Sequence, residues 1–395
     1  MRVVIQDVVY RGWGLARTSD GVVLVRHTLP GERVEVEPTR RTRRLIEGRL
    51  VAVLEAAPGR REPVCPLTRM CPGCCYQHAA YADELALKQR QLAEVLHRLG
   101  RVTPENLEPP LGAPAELGYR NKLTLRGGRC GGRALLGYVG EDNRQIVDVP
   151  RCPLAVPALD QALSEVRGDA ALRRQLSRGG RLTLRYTAAD GVCRWIGRPG
   201  PAQPWLTESL SWGRLRVPRG SFFQVNLAVA ERLAEDLQRR LRQGPAVERL
   251  IDLYCGVGLL ALAAAAAGVP DVLGIEADAE AVRAAAENAA QLGLRQARFV
   301  AGEVAERLKA LTPLARAEAT AVVVDPPRAG LSPAALEGLA ALRAARIFYV
   351  SCAPDTLARD LGRLAARGYR LRQARLLDMF PRTAHFETLA VLEPA

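Results

Sequence analysis

The feature that most constrains the fold is an alternation of strand-like and helix-like segments after residue 220. β-Branched runs alternate with alanine- and leucine-rich helical runs, from RLIDLYCG (249–256) to RIFYVSC (346–352). Such alternation predicts a parallel sheet, because each helix returns the chain by a right-handed crossover. The sequence therefore predicts an α/β domain over residues 219–395.

Two other regions precede this domain. Residues 1–57 read as short strands separated by turn residues at SDG (19–21) and LPGE (29–32), which predicts a small antiparallel β-barrel. Barrels of this size often bind nucleic acid, and RRTRR (40–44) adds a basic loop. Residues 58–218 combine a cysteine-rich loop, a helical pattern and many strands, which predicts an antiparallel-rich central domain. We expect its helix, residues 81–99, to dock on the C-terminal domain.

The charge of the chain indicates a polyanionic partner. Lys and Arg number 56 against 42 Asp and Glu, a formal net charge of +14, and nearly all the positive charge is arginine. The guanidinium of arginine forms paired hydrogen bonds to phosphate and stacks on bases, so we expect RNA or DNA as the partner. The longest apolar run, LLALAAAAAGV (259–269), is too short to span a bilayer, and the N-terminus has no secretion pattern. We expect a monomeric, cytoplasmic protein without membrane contact.

The motif DLYCGVG (252–258) predicts a nucleoside-cofactor site at the first strand-to-helix turn. Gly256 and Gly258 permit a tight turn and close approach of a ligand. Glu276 ends the next strand about twenty residues later, where an acid can bind ribose hydroxyls. Ala261 replaces the third glycine of a dinucleotide fingerprint. The aspartate that opens the motif suits a cation better than a pyrophosphate, which favours S-adenosylmethionine (SAM) over NAD.

Two further strands of the same sheet end in VVVDPPRAGL (322–331) and YVSCAP (349–354). Ligands of open α/β sheets lie beyond the carboxyl ends of the strands, so Asp325 and Cys352 should face the SAM crevice. A buried cysteine is more often a small apolar residue, but this position makes it a candidate nucleophile. Direct methylation of an amine would need an aromatic residue after D-P-P, where Arg328 stands.

Methylation of carbon 5 of a pyrimidine is a reaction that needs such a thiol. A thiolate adds to carbon 6, carbon 5 then accepts the methyl group, and the thiolate leaves by elimination. A second residue must remove the proton from carbon 5. Glu387, in the C-terminal segment DMFPRTAHFETLAVLEP (378–394), is the predicted base, with His385 as the alternative.

Five motifs in this order resemble the RNA 5-methyluridine methyltransferase family, in its iron–sulfur form that acts on 23S ribosomal RNA. They are FFQVN (222–226), DLYCGVG, DPPRAGL (325–331), YVSCAPDTLARD (349–360) and DMFP…HFE. The resemblance extends over nearly the whole chain. It implies a SAM-dependent Rossmann-like methyltransferase domain, a TRAM or OB-like N-terminal barrel that binds RNA, Cys352 as nucleophile and Glu387 as base. It also implies the SAM contacts Gln224, Tyr254, Glu276 and Asp325, with Glu303 near the adenine.

The chain departs from the family pattern at three positions. Ala353 follows the nucleophile where members often carry asparagine, and Leu259 stands where a polar residue is common. Arg382 replaces a common histidine. None of these changes removes a predicted catalytic group.

The loop CPLTRMCPGCC (65–75) predicts a metal site. It spaces three cysteines as C-x5-C-x2-C, and Cys152 in RCPL (151–154) is the candidate fourth ligand. Four thiolates can bind zinc or a four-iron four-sulfur cluster, and the spacing leaves both open. Radical SAM chemistry would instead need C-x3-C-x2-C. The family resemblance implies a structural 4Fe–4S cluster held by Cys65, Cys71, Cys74 and Cys152.

Two other functions stay open at the level of sequence. One is the same methylation carried out on transfer RNA. The other is a non-catalytic RNA-binding role in assembly, for which Cys352 would be dispensable.

Overall fold

The computed structural model describes residues 1–140, 144–199, 205–311 and 317–395. Within these ranges, no helix is both long enough and apolar enough to cross a membrane.

The N-terminal region forms one sheet of six strands. The strands are β1 (Arg2–Val4), β2 (Asp7–Val9), β3 (Trp13–Thr18), β4 (Gly21–Arg26), β5 (Arg33–Arg41) and β6 (Leu45–Glu55). Their spatial order is β1-β5-β6-β4-β3-β2, and all pairs are antiparallel except β4 with β6. Alternate residues such as Val23, Val25 and Val34 are fully buried and form a separate core. The parallel pair is a difference from the antiparallel barrel expected from the sequence.

The central region begins with the cysteine loop and a helix. Helix α1 (Tyr81–Val95) continues into a π-helical turn (Leu96–Gly100) and ends at Arg101, which has a left-handed φ of 52°. Leu92 and Leu96 are buried in a core beneath the C-terminal sheet. These contacts dock the helix on the C-terminal domain.

A five-stranded antiparallel sheet follows, in the order β10-β9-β8-β11-β12. Leucines of its strands pack against Leu159 and Leu163 of the first of two covering helices. The elements are β8 (Lys122–Cys130), β9 (Arg133–Val139), β10 (Ile146–Asp148), α2 (Pro157–Gly168), α3 (Ala170–Leu176), β11 (Arg181–Thr187) and β12 (Gly191–Ile196).

A two-stranded hairpin, β13 (Trp205–Leu210) with β14 (Gly213–Pro218), connects this region to the C-terminal domain. The sequence pattern groups it with the central region, but Leu215 and Val217 are buried in the core of the C-terminal domain. An isolated hairpin cannot build a core of its own, so it packs on the neighbouring helices.

The C-terminal domain is an eight-stranded sheet in the order β17-β16-β15-β18-β19-β21-β20-β7. Strand β7 (Asn106–Leu107) comes from the central region and pairs parallel with β20 at one edge. The remaining strands are β15 (Arg249–Leu253), β16 (Asp271–Glu276), β17 (Ala297–Ala301), β18 (Thr320–Val324), β19 (Arg346–Ser351), β20 (Tyr369–Leu377) and β21 (Glu387–Pro394). The helices are α4 (Leu227–Gln243), α5 (Leu259–Ala266), α6 (Ala279–Gln291), α7 (Val304–Leu311), α8 (Pro333–Ala341) and α9 (Pro354–Ala365).

Strands β15 to β19 run parallel, which confirms the predicted α/β architecture. Only β21 runs antiparallel to its neighbours β19 and β20. Runs of strand residues such as Val322 to Val324 are fully buried because helices cover both faces of a parallel sheet.

Candidate active site

Four neighbouring strands, β15, β18, β19 and β21, bring the predicted reactive side chains to one edge of the sheet. Asp252 lies near the end of β15, and Asp325 directly follows β18. Cys352 directly follows β19, and Glu387 is the first residue of β21. Because β21 is antiparallel, its beginning meets the carboxyl ends of the parallel strands.

The register of β19 and β21 sets the relation between Cys352 and Glu387. Ser351 pairs with Thr388 at the end of the ladder, so Cys352 and Glu387 are the residues directly beyond this last pair. Strand β19 ends there because Pro354 starts helix α9 and cannot continue a strand. The predicted nucleophile and base are thus brought side by side.

The environment of Cys352 holds its thiol in the protonated form. Burial raises the pKa of Cys352 to about 11, and the carboxylates of Glu387 and Asp325 add to the rise. The guanidinium of Arg328 opposes them. Cys352 also lies next to the N-terminus of helix α9, whose free N–H groups favour a thiolate.

Arg328 is a charged neighbour of the predicted nucleophile and base that the sequence reasoning did not assign to the site. Its guanidinium acts on Cys352 and on Glu387, lowering the pKa of both groups. The sequence reasoning used it only to exclude an aromatic clamp. Its position at the same strand end as Asp325, directly after D-P-P, was the available indication.

The carboxyl groups of this edge are strongly perturbed. Burial raises the pKa of Glu387 well above its usual value, and the charge of Asp325 adds to this rise. The Oε2 atom of Glu387 is buried and has no hydrogen-bond partner among the described residues. Burial raises the pKa of Asp325 to about 7. A cationic ligand would favour the ionised forms of these groups and would therefore be stabilised here.

A cleft beside these carboxyl groups holds most of the predicted cofactor residues. Its empty space, including the open mouth, is about 450 Å³. Phe222 lines the mouth and is 70% exposed. The other lining residues are Phe223, Gln224, Leu233, Asp252, Tyr254, Cys255, Gly256, Val257, Leu259, Leu260 and Asp325.

The glycine turn has the backbone that its motif predicts. Gly256 and Gly258 have φ values of 53° and 92°, in the left-handed region that favours glycine. Tyr254 shares this conformation with a φ of 64°, so the turn is locally strained. A Cβ atom at Gly258 would lie 3.1 Å from the ring of Phe299. Gly256 lines the cleft, and no atom lies within 4 Å of the position that its Cβ would occupy, so its backbone is open to a ligand.

Glu276 and Glu303 lie toward the outer strands of the same edge. Glu276 ends β16 and accepts hydrogen bonds from the backbone N–H groups of Gly256 (3.1 Å) and Asp278 (2.9 Å). Glu303 is exposed after β17, and its charge contributes to the raised pKa of Tyr254. Neither lines the cleft itself, yet both border the glycine turn.

The cysteine loop brings thiols from two segments into one neighbourhood. Burial raises the pKa of Cys71 and of Cys74, and the charges of Cys152 and Cys65 add to both shifts. Gln77 donates a hydrogen bond to the sulfur of Cys74 at 3.3 Å. Across the described ranges, however, no three Cys, His, Asp or Glu side chains form a group that could hold a metal ion.

The fold and the cleft define a SAM-dependent methyltransferase. A family model described as tRNA (uracil-5-)-methyltransferase matches residues 212–394. Relatives named as uracil-C5 methyltransferases of RNA match the chain over nearly its whole length. The chain belongs to the RNA (uracil-5-)-methyltransferase family, whose members transfer a methyl group from SAM to carbon 5 of uracil in RNA.

Three relatives illustrate the match. The chain is 33% identical to a 23S rRNA (uracil(1939)-C(5))-methyltransferase of Pseudomonas aeruginosa, covering 99% of this chain and 94% of the relative. It is 34% identical to the enzyme of the same name in Acidithiobacillus ferrooxidans, covering 99% and 97%. An uncharacterised RNA methyltransferase of Thermosynechococcus vestitus is 33% identical, covering 98% and 96%.

A solved structure has the same fold. It is the tRNA (uracil-54, C5)-methyltransferase of Pyrococcus abyssi in complex with S-adenosyl-L-homocysteine. The match has a TM-score of 0.75 and 24% identity, and it covers 99% of this chain and all of the other.

Proposed function

We propose that this enzyme methylates carbon 5 of a uridine in 23S ribosomal RNA, with Cys352 as nucleophile and Glu387 as general base. The observation that carries the proposal is the register of β19 and β21, in which these two residues directly adjoin the last pair, Ser351 with Thr388, at the sheet edge where Asp325 lines the cofactor cleft. The full-length relatives named for 23S rRNA support the substrate. The family description and the structural neighbour name tRNA, which keeps transfer RNA as the second candidate.

The protein groups account for each bond that changes on the uracil ring. The thiolate of Cys352, which forms when the thiol releases its proton to water, bonds to carbon 6, and the ring electron pair moves toward carbon 5 and the neighbouring carbonyl oxygen. SAM supplies the methyl group that carbon 5 receives. Glu387 then takes the proton from carbon 5, the bond between sulfur and carbon 6 breaks, and its electron pair returns to the sulfur.

Arg328 is the residue that favours both charged forms needed here. Its guanidinium opposes the burial that keeps Cys352 protonated and lowers the pKa of Glu387. Binding of the cationic cofactor against Asp325 and Gln224 would shift the carboxyl groups in the same direction. The target base has to leave its stack to reach Cys352. Phe222, exposed at the mouth, offers an aromatic face on which a base can stack.

We further propose that Cys65, Cys71, Cys74 and Cys152 hold a four-iron four-sulfur cluster with a structural role. Four cysteines from two segments are near enough for their ionised forms to affect one another electrostatically. Thiolates are the ligands that such clusters use. The cluster would join the cysteine loop to the central sheet. Iron and zinc assays on anaerobically purified protein test this assignment. Zinc at full occupancy would contradict it, as would unchanged iron content in Cys152→Ser.

The N-terminal sheet is proposed to bind RNA in the manner of a TRAM domain. The basic run at residues 40–44 spans the exposed β5–β6 hairpin, where it can meet phosphates. The chain is proposed to act as a cytoplasmic monomer.

A deletion strain tests the substrate and the enzyme claim together. The amount of 5-methyluridine is measured in ribosomal and in transfer RNA, with and without a plasmid copy of the gene. Loss from 23S rRNA alone supports the proposal, whereas loss from tRNA alone supports the second candidate. If Cys352→Ala restores the cell as well as the wild type does, the chain acts as a non-catalytic assembly factor.

The base assignment has its own test. Glu387→Gln should still add its thiol to RNA but should fail to remove the proton, so a covalent RNA adduct accumulates. The adduct is measured as a band that survives denaturing electrophoresis. A Glu387→Gln variant without adduct, together with an adduct in His385→Ala, would assign the base to His385 instead.

A further inference from the structure

The turn between β2 and β3 of the N-terminal sheet reaches the catalytic edge of the C-terminal domain. The ring of Tyr10 meets the ring of Phe386 edge-on, with centroids 6.2 Å apart and planes at 70°. Phe386 is fully buried and directly precedes Glu387. Tyr10 also packs against the apolar core beneath the C-terminal sheet. A residue of the N-terminal domain therefore forms part of the wall of the catalytic centre.

Charged groups around the predicted nucleophile act on the hydroxyl of Tyr10. Burial raises the pKa of Tyr10 to about 12, and the charges of Asp355 and Cys352 add to the rise. Arg11 and Arg328 act in the opposite direction. The charge interactions of Tyr10 therefore involve Cys352, Arg328, Asp355 in the first turn of helix α9, and Arg11 in its own turn.

Polar contacts hold this turn against two other elements. The guanidinium of Arg11 lies 3.8 Å from the carboxylate of Asp355 in the first turn of α9. Gln91 of helix α1 donates a buried hydrogen bond of 2.8 Å to the carbonyl of Val8. Arg90 of the same helix forms an ion pair of 3.1 Å with Asp7. The turn is therefore attached to both the central helix and the catalytic helix.

Steric contact closes the remaining side. Gly12 has a φ of 76°, and a Cβ atom placed on it would lie 2.8 Å from the sulfur of Cys75. No side chain fits between this glycine and the cysteine loop without displacing one of them. The turn thus packs closely against the cysteine loop on one side and against the catalytic domain on the other.

We propose that Tyr10 is a positioning residue for methyl transfer, which packs on Phe386 and holds the segment that leads into Glu387. The proposal rests on the function proposed above. Glu387 pairs with Leu377 of β20, and its ladder with β19 begins at Thr388. Phe386 and His385 lie outside any strand, and the contact of Tyr10 with Phe386 adds to the packing that restrains this segment.

The N-terminal sheet would then have two separable tasks. Its exposed arginines would contribute to RNA affinity, whereas Tyr10 would contribute to the chemical step. A displacement of about 1 Å in a catalytic pair can lower a rate by on the order of 100-fold. We therefore expect Tyr10→Ala to lower kcat by about 10- to 100-fold and to change the Kd for RNA less than about threefold.

The experiment measures methyl transfer from SAM with the full-length protein, on whichever of the 23S rRNA and tRNA transcripts the wild type methylates. Tyr10→Phe keeps the ring that contacts Phe386 and should retain kcat within about threefold, since ring packing carries the restraint. Arg11→Ala removes the exposed ion pair with Asp355 and the cation–π contact of Arg11 with the Tyr10 ring, so it should fold normally and lower kcat severalfold. Val51→Ala, on the exposed face of β6, is the matched control and should leave kcat and KM unchanged.

Separate readouts distinguish the outcomes. If Tyr10→Ala and Arg11→Ala both raise KM with unchanged kcat, the turn only binds RNA and the positioning role is refuted. The same conclusion follows if Tyr10→Phe loses as much kcat as Tyr10→Ala. Cys352→Ala tests the proposed function independently: methyl transfer that survives in this variant refutes the nucleophile and leaves the Tyr10 comparison intact.

Discussion

Lys88 allows the sharpest test of how the central helix is joined to the catalytic domain. Its side chain is completely buried, and its Nζ atom lies 2.7 Å from Glu84 Oε1 and 2.8 Å from Asp378 Oδ1. A third hydrogen bond of 3.3 Å runs to the carbonyl of Phe380. Burial lowers the pKa of Lys88, but the two carboxylates outweigh it and raise the pKa above its ordinary value. One ammonium thus neutralises two buried acids.

We expect Lys88→Met to destabilise the protein by about 3 kcal/mol, the low end of the cost of breaking a buried ion pair. Methionine keeps most of the stem volume, so the loss comes from the charge. Glu84 retains the guanidinium of Arg382 at 3.3 Å, which limits the loss. Among the described residues, the hydroxyl of Tyr81, at 3.0 Å, remains as a hydrogen-bond donor to the carboxylate of Asp378, which becomes the main unpaired charge.

The loss should depend on pH. Burial already raises the pKa of Glu84 in the folded state, and loss of the Lys88 charge raises it further above that of the unfolded chain. A group with a raised folded-state pKa stabilises the protein below the unfolded pKa and loses that contribution as pH rises through the folded pKa. The deficit of Lys88→Met should therefore be largest at pH 8 and should shrink toward about pH 5.

The assay is urea unfolding of the full chain, followed by circular dichroism at pH 8 and pH 5. Lys309→Met is the matched control, because Lys309 forms an exposed ion pair of 2.8 Å with Glu306. An exposed pair contributes less than about 1 kcal/mol. If Lys88→Met and Lys309→Met unfold at the same urea concentration at pH 8, the buried triad does not stabilise the junction and the reasoning fails.

Three further predictions concern the catalytic edge. SAM should bind more tightly as pH rises through about 7, because the raised pKa of Asp325 delays formation of the carboxylate that attracts a cation. Calorimetry should show that protons are released when SAM binds. Asp325→Asn should abolish the pH dependence of SAM binding. Ala353→Asn should stabilise the protein by about 1 kcal/mol, because Ala353 is the N-cap of α9 and provides no side-chain hydrogen bond; an unchanged or lower urea midpoint would contradict this. Phe222→Ala should lower kcat/KM by about 5- to 100-fold through lost base stacking, and Phe222→Trp should restore it; equal kcat/KM in wild type and Phe222→Ala would exclude a stacking role.

The predicted elements that the structure contains are those with long local patterns. The helical pattern at 81–99 corresponds to α1 and the π-helical turn that follows it, and the glycine turn has the expected backbone. Strand β7 has only two residues, too few to show any periodicity, and it exists because β20 offers a free edge. The parallel pairing of β4 with β6 likewise depends on the order of strands in space.

The sequence by itself determined which chemical groups the protein carries and at which strand ends they occur. Strand period, glycine turns and the thiol before Pro354 are all contained in short windows of residues. Tertiary structure decided which of these groups meet. The register that pairs Ser351 with Thr388 leaves Cys352 and Glu387 directly beyond the last pair. Packing between distant segments brings Tyr10 to Phe386 and Lys88 to Asp378, 290 residues away. Such contacts depend on strand register and domain packing, which no local pattern of residues encodes.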